Sequence, residues 1–517
     1  MRREGSSSVG ESPLPPLLAS LTGGGAGLSW LLGIILVMAP LFRSGQPPLA
    51  ALALELLALV LLALVLWQPD HARLARGEVL ALSLLFAFPL LYLVPLPAGL
   101  SGWVPGRAAY LDALSLMDVA PNDRAATLSL YPLETESAWL FLLVPIGVFL
   151  GVRRLSGQQA FRLVLLLLGI ACAQALLGLM QYGAAPGSPQ LLGLSLPSIR
   201  SAMGTYTNHN HLAGLLEMVL PIAIALTIFS VGRRRDRWRH AWRARMAFFA
   251  SLRGQMAFVY GAVTVLLLAG VIFTRSRAGI AVSILGVILC TLLFARRIGG
   301  NNVYGPTGTI VALALGIGVA LGLVPVLDRF SAEGAIEDAR WSIFASTLDG
   351  IGAFNPIGSG PGTYPDVYPA FQPSELGQWL INHAHNDYLE WLFEGGLLAA
   401  ALIVLSLLLY ARQWGRVWTP GGWSRARFVQ VGAGIGILLL LLHSLLDYNL
   451  HIPANVAYFA FLAGIFFTEV SEEAEPARSR SRRRRTPKLG DPPSEALAPI
   501  ERKPEIPPDQ IENPFLD

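Results

Sequence analysis

Charge is scarce in this chain. Lys, Arg, Asp and Glu make up 14% of its 517 residues, where a soluble globular protein carries about a quarter. That shortage excludes a water-soluble multidomain enzyme. It also excludes a disordered protein, which needs high charge and low hydrophobicity. Cysteine is scarce too: Cys172 and Cys290, both inside apolar runs, offer neither a disulfide framework nor a thiolate metal site. The apolar–polar alternation of a transmembrane β-barrel is missing from stretches such as Ala50 to Trp67. What is present is apolar length: 53% hydrophobic residues and a mean hydropathy of +0.53. The fold class this implies is all-α, a polytopic helical membrane protein.

Stretches of about 20 apolar residues predict about twelve spans, at 27–43, 48–67, 78–97, 137–152, 162–182, 211–231, 256–274, 278–295, 307–326, 389–410, 428–447 and 453–470. Arginine sets the expected orientation. The run GRRRDRWRHAWRARMAFFASLRGQ after the sixth span belongs on the cytoplasmic side. Every second connection then also carries arginine: Arg2 and Arg3; Arg73 and Arg76; Arg153 and Arg154; Arg296 and Arg297; Arg412, Arg416, Arg425 and Arg427; and Arg482 to Arg485. Both termini are therefore expected inside. The first 20 residues lack the apolar core of a cleavable signal.

The expected organisation is a cytoplasmic N-terminal segment (1–26), N-terminal helices (27–160), a main membrane domain (161–470) and a charged, proline-rich disordered tail (471–517). The tail's arginine run suits anionic lipid rather than nucleic acid. No internal repeat suggests a transporter with inverted halves.

Three outer connections are long, about 98–136, 183–210 and 327–388. In the last, Ile336, Ile343, Phe344, Leu348 and Ile351 fall on one helical face, which predicts an amphipathic helix along the interface. GSGPG, Gly358 to Gly362, reads as a tight turn rather than a phosphate cradle, because no strand precedes it.

Cations at membrane depth cost about 2.5–3.5 kcal/mol or more and need partners. Arg275 and Arg277 in FTRSRAGI lie at a hinge between spans, and Arg340 lies on the amphipathic helix. A guanidinium there either snorkels, pairs locally (Arg340 with Glu337 or Asp338) or grips phosphate oxygens in a fork. Arg200 is a weaker candidate. HAHNDYLEWLFEGG brings His383, His385, Asn386, Asp387 and Glu390 before the tenth span, and His209, Asn210 and His211 open the sixth. An imidazole suits proton transfer near neutral pH. Zinc on His383, His385 and Asp387 is an alternative, but H-x-H spacing alone does not specify a metal site. Glu217 lies inside the sixth span and is expected to pair with an outer-face arginine. Glu55 in the second span has no evident partner. His443, Asp447 and His451 surround the last outer turn, as cavity lining or as helix caps.

The ordered motifs GTYTNHNHLAGLLEMVLPIAIA, TRSRAGI, DARWSIFASTLDGIGAFNPIGSGPGTY, HAHNDYLEWLFEGGLLAA and HSLLDYNLHIPANVAYFAFLAG resemble the O-antigen ligase/polymerase family from about residue 165 to 467. The resemblance implies a glycosyltransferase of the bacterial inner membrane with one long periplasmic loop. Its donor would be an undecaprenyl-diphosphate-linked glycan and its acceptor a lipid or glycan hydroxyl, with membrane lipids around it. It implies inverting, metal-independent transfer with no cofactor. The family's Ser-Arg motif falls on Ser276 and Arg277, its loop arginine on Arg340, and its histidine before asparagine on His385. His209 stands where relatives often carry arginine. On this reading His385 is the base; Arg277, Arg340 and Arg275 bind the diphosphate; and Asn210, His211, Glu217, His383 and Asn386 support them. A polymerase or a protein O-oligosaccharyltransferase uses the same chemistry. A polysaccharide transporter or flippase is the alternative from another class.

Overall fold

The computed structural model describes residues 26–67, 74–97, 104–107, 126–184, 201–232, 246–247, 250–298, 303–321, 335–377, 379–418 and 423–470. All fall in the first of two compact units, residues 1–470. The tail 471–517, expected to be disordered, lies outside the described residues, as does Arg200.

Each of the twelve expected spans coincides with a helix. They are α1 (Ala26–Met38), α2 (Pro48–Trp67), α3 (Arg76–Tyr92), α4 (Pro132–Val152), α5 (Gly157–Gly183), α6 (His209–Val231), α7 (Leu252–Thr274), α8 (Arg277–Ile298) and α9 (Tyr304–Leu321). After the amphipathic α10 (Ala335–Phe354) come α11 (Asp387–Val417), α12 (Arg425–His443) and α13 (Pro453–Phe467). Eight of these are long and apolar enough to cross a membrane; α1, α9 and α13 are shorter apolar helices. The chain is a multi-pass, all-α membrane protein. Two strands of two residues each, β1 (Pro95–Leu96) and β2 (Ala126–Thr127), pair antiparallel beside α3.

Local chemistry starts the helices where the apolar runs begin. The Ser156 hydroxyl and Gln159 amide form a reciprocal capping box on α5. Asn208, Ser251, Asn386 and Ser424 each accept backbone N–H bonds at the starts of α6, α7, α11 and α12. Such side chains satisfy donors that the first helical turn leaves unpaired.

The bundle is built around α6, which is apolar all round and almost wholly buried. It packs against α7, α12, α8 and α5. Small residues allow its closest approach: a Cβ at Gly436 would lie 2.1 Å from the Met218 carbonyl oxygen, and one at Gly432 would lie 3.0 Å from Pro221 O. Small residues four apart are how helices come together where lipid tails are as apolar as the side chains.

The long loop is a packed layer. Ile343, Phe354, Tyr364, Tyr368 and Phe393 are buried together. The Thr347 hydroxyl bonds Tyr364 OH, and Ser346 bonds Tyr368 OH, both at 2.8 Å. The amphipathic face is shifted from the expected one. Ile343 and Phe344 point inward, but Leu348 is 55% exposed beside an outward Trp341. Ser346, Thr347 and Gly350 take the inward positions, because hydrogen bonds to buried tyrosines and a close Phe393 ring reward small polar residues there. The Ile336 side chain lies outside the described residues.

GSGPG is a turn, as expected. Gly358 has φ +91°, and a Cβ there would collide with the Glu394 carbonyl oxygen at 2.3 Å. Ser359 N donates to Phe393 O and Gly360 N to Glu394 O. Tyr92 OH donates to Ile357 O, which joins the loop to α3.

Candidate active site

At the end of the bundle that carries the histidines, four side chains meet on one carboxylate. Asp447 sits in the turn between α12 and α13 and is fully buried. Its Oδ2 accepts from Asn210 Nδ2 at 2.5 Å and lies 3.6 Å from Arg340 Nη2. Its Oδ1 lies 3.4 Å from His385 Nδ1 and 3.7 Å from His211 Nε2, and accepts from Tyr448 N at 2.9 Å. The Tyr448 ring completes the cluster, edge-on to both His211 and His385.

The contributing side chains come from distant elements. Asn210 and His211 are in the first turn of α6, Arg340 is in α10, and His385 precedes α11 with a left-handed φ of 51°. A non-glycine residue in that region is uncommon and marks a backbone held by its surroundings. Asn386 and Asp387 do the holding. Asn386 Oδ1 accepts from Tyr388 N and Leu389 N, its Nδ2 donates to Leu445 O, and Asp387 N donates to Ser444 O.

Burial alone would raise the Asp447 carboxyl. The His211 and His385 rings beside it overcome that effect and hold the group well below the usual carboxylate range. Tyr448 is pushed up by burial and by Asp447.

Arg340 Nε is buried without a hydrogen-bond partner, while the side chain is 23% exposed. One guanidinium nitrogen faces Asp447, and the remaining donors suit an anion. Its partner is Asp447; the side chains of Glu337 and Asp338, the expected local partners, lie outside the described residues.

Arg275 caps α7 in a left-handed conformation (φ +60°), and Arg277 opens α8. Ser276 between them accepts from Gly279 N at 3.1 Å. A Cβ at Gly279 would lie 2.6 Å from Ala213 Cβ, so this turn packs against the start of α6, two residues from His211. His209 is partly buried one residue before Asn210.

Other expectations change. Glu217 pairs with His443, not with an arginine: His443 Nδ1 is 2.9 Å from Glu217 Oε1, and both side chains are inaccessible. The partner is a neighbour across the α6–α12 contact, which a linear reading cannot supply. Asn386 is a helix cap whose polar groups are spent on backbone. The zinc set His383, His385 and Asp387 is pulled apart, because His385 faces Asp447 and Asp387 bonds His451 Nδ1 at 2.7 Å. His383 instead bonds Glu390 at 2.8 Å and stacks on Tyr448. Burial opposes charge on His451, but Glu390 and Asp387 push it up to about 10. Glu55 lies half-buried within α2.

Asp447 is the residue that sequence reasoning undervalued. An acid in an otherwise apolar stretch, preceding a tyrosine at the last turn, was its only signal. The comparison with protein families matches residues 262–404 to the model described as O-antigen ligase. That stretch contains Arg275, Arg277, Arg340, His383 and His385, whereas Asn210, His211 and Asp447 reach it through the fold. No curated protein matches the chain. Residues 262–404 of this multi-pass membrane protein are thus similar to the O-antigen ligase family model.

Proposed function

We propose that the chain is an inverting membrane glycosyltransferase. It would take a glycan from an undecaprenyl-diphosphate carrier and join it to an acceptor hydroxyl on the periplasmic side of the bacterial inner membrane. The family supports an O-antigen ligase/polymerase-type membrane enzyme. The observation that carries the finer reading is the convergence of His385 and Arg340 on Asp447, at 3.4 and 3.6 Å.

His385 presents Nδ1 to Asp447, which leaves Nε2 to accept the acceptor's hydroxyl proton. The hydroxyl oxygen forms a bond to the anomeric carbon as the bond from that carbon to the diphosphate oxygen breaks. The leaving diphosphate keeps the electron pair, and its charge grows as it departs. Arg340, with Arg277 and Arg275, would stabilise that charge, and fixed donors of this kind lower such barriers. Attack from the face opposite the diphosphate inverts the centre. Asp447 stabilises the imidazolium while Asn210 and His211 steady the carboxylate. Guanidinium stays charged at any working pH, so the leaving group needs no metal for its neutralisation.

The test is transfer by purified protein in proteoliposomes, with a defined undecaprenyl-diphosphate glycan and several acceptors. A covalent product with inverted linkage is expected. Translocation of the intact lipid without a product would replace this reading with a flippase. Loss of all attached glycan in a deletion strain, rather than of long chains alone, is expected for a ligase.

A further inference from the structure

A second cluster lies beside the first and is not used by the transfer. One ligand atom each of His383, Glu390 and His451 lies within 4.8 Å of the other two. The carboxylate oxygen is 2.8 Å from His383 Nδ1 and 3.4 Å from His451 Nε2. Four-coordinate zinc with bonds of about 2.0–2.2 Å sets its donors about 3.3 Å apart. Each donor is already aimed. Asp387 Oδ1 accepts from His451 Nδ1 at 2.7 Å, which turns Nε2 toward Glu390. Ala384 N donates to Glu390 Oε2 at 2.8 Å, which leaves Oε1 for the centre. His383 is fixed by stacking on Tyr448 at 4.1 Å. A carboxylate behind a histidine and a backbone donor behind a carboxylate are the outer contacts that orient metal ligands.

Charge points the same way. Asp387, Glu390 and Glu394 follow one another at i, i+3 and i+7, so they share one face of α11, and all three are buried. Among the described residues, the rings paired with Asp387 and Glu390 are those of His383 and His451. Both rings remain about one-fifth to one-quarter exposed, at 21% and 25%, which leaves an entry path.

We propose that His383, Glu390 and His451 form a site for one divalent cation of the zinc class, held by two nitrogens and one oxygen with a water as fourth ligand. The ion ties the segment before α11 to the turn before α13. Because Tyr448 touches both His383 and His385, the ion stiffens the neighbouring site without taking part in its chemistry.

The experiment is zinc content of the full-length purified protein after equilibration with zinc and removal of excess, with cobalt absorption as a geometric probe. Wild type is expected to hold about one zinc per chain, and Asp387→Asn to bind about 10–100-fold more weakly. Glu390→Gln and His383→Asn should lose the site, and His385→Ala should keep it. His383→Asn alters a partly exposed ring and covers the case in which a buried variant misfolds. Absence of stoichiometric zinc in wild type, or equal zinc in folded His383→Asn, would overturn the proposal. Retained zinc in an inactive His385→Ala protein keeps this result separate from the transfer reading.

Discussion

His385 Nδ1 and Asp447 Oδ1 stand 3.4 Å apart, although α11 and α12 lie between them in the chain. The distance is that of an ion pair and long for a hydrogen bond. Such contacts often tighten only when substrate is bound. The carboxylate is inaccessible and the ring partly exposed, so the pair has a fixed end and a working end.

Replacing the working end should abolish chemistry and little else. His385→Ala is expected to lower the transfer rate by about 10²–10⁴-fold, the usual contribution of a general base. Its thermal midpoint in detergent should stay close to wild type. Transfer at the wild-type rate by well-folded protein would remove His385 from the mechanism.

The arginines should separate binding from turnover. In Arg340→Lys and Arg277→Lys the charge stays and the planar fork goes, so donor KM should rise by about tenfold or more if the fork grips the diphosphate. Steady-state kinetics with varied donor, at saturating acceptor, reads this. Unchanged donor KM and rate in both variants would contradict a diphosphate role.

Asp447 carries a pH signature. Its folded pKa is depressed below its unfolded value of about 3.9, so the stability it adds is present above that value. That stability is lost as pH falls through the folded pKa. The difference in thermal midpoint between wild type and Asp447→Asn should be constant from pH 8 to about 5 and shrink in stronger acid. A difference that grew toward acid would show the opposite sign and refute the assignment.

The buried Glu217–His443 pair should matter for stability more than for catalysis. Removing one partner of a buried pair costs about 3–5 kcal/mol, because the other is left unsatisfied. His443→Leu is expected to lower the thermal midpoint strongly, and Glu217→Gln, which keeps a hydrogen-bond acceptor, less so. Equal midpoints for wild type and His443→Leu would show that the pair is dispensable.

Much of the architecture was legible along the chain. A helix that crosses hydrocarbon must be apolar over its own length, so the pattern from Ala26 to Phe467 marked the described apolar helices locally. The motif residues Arg277, Arg340 and His385 could likewise be singled out, because charge and imidazole stand out against an apolar background. Leu348 shows the limit of periodicity. The face of α10 was chosen by hydrogen bonds from Ser346 and Thr347 to tyrosines of the following loop.

What the sequence by itself determined was the class of protein, the positions of its helices and the polar residues with unusual chemistry, since those follow from how each segment partitions between water and lipid. Only the tertiary structure decided the partners: Asp447 for His385 and Arg340, His443 for Glu217, and Glu390 with His451 for His383. The reason is reach. Ion pairs and hydrogen bonds act over a few ångströms, and whether two side chains come that close depends on how separate helices pack, as the glycine contacts between α6 and α12 illustrate.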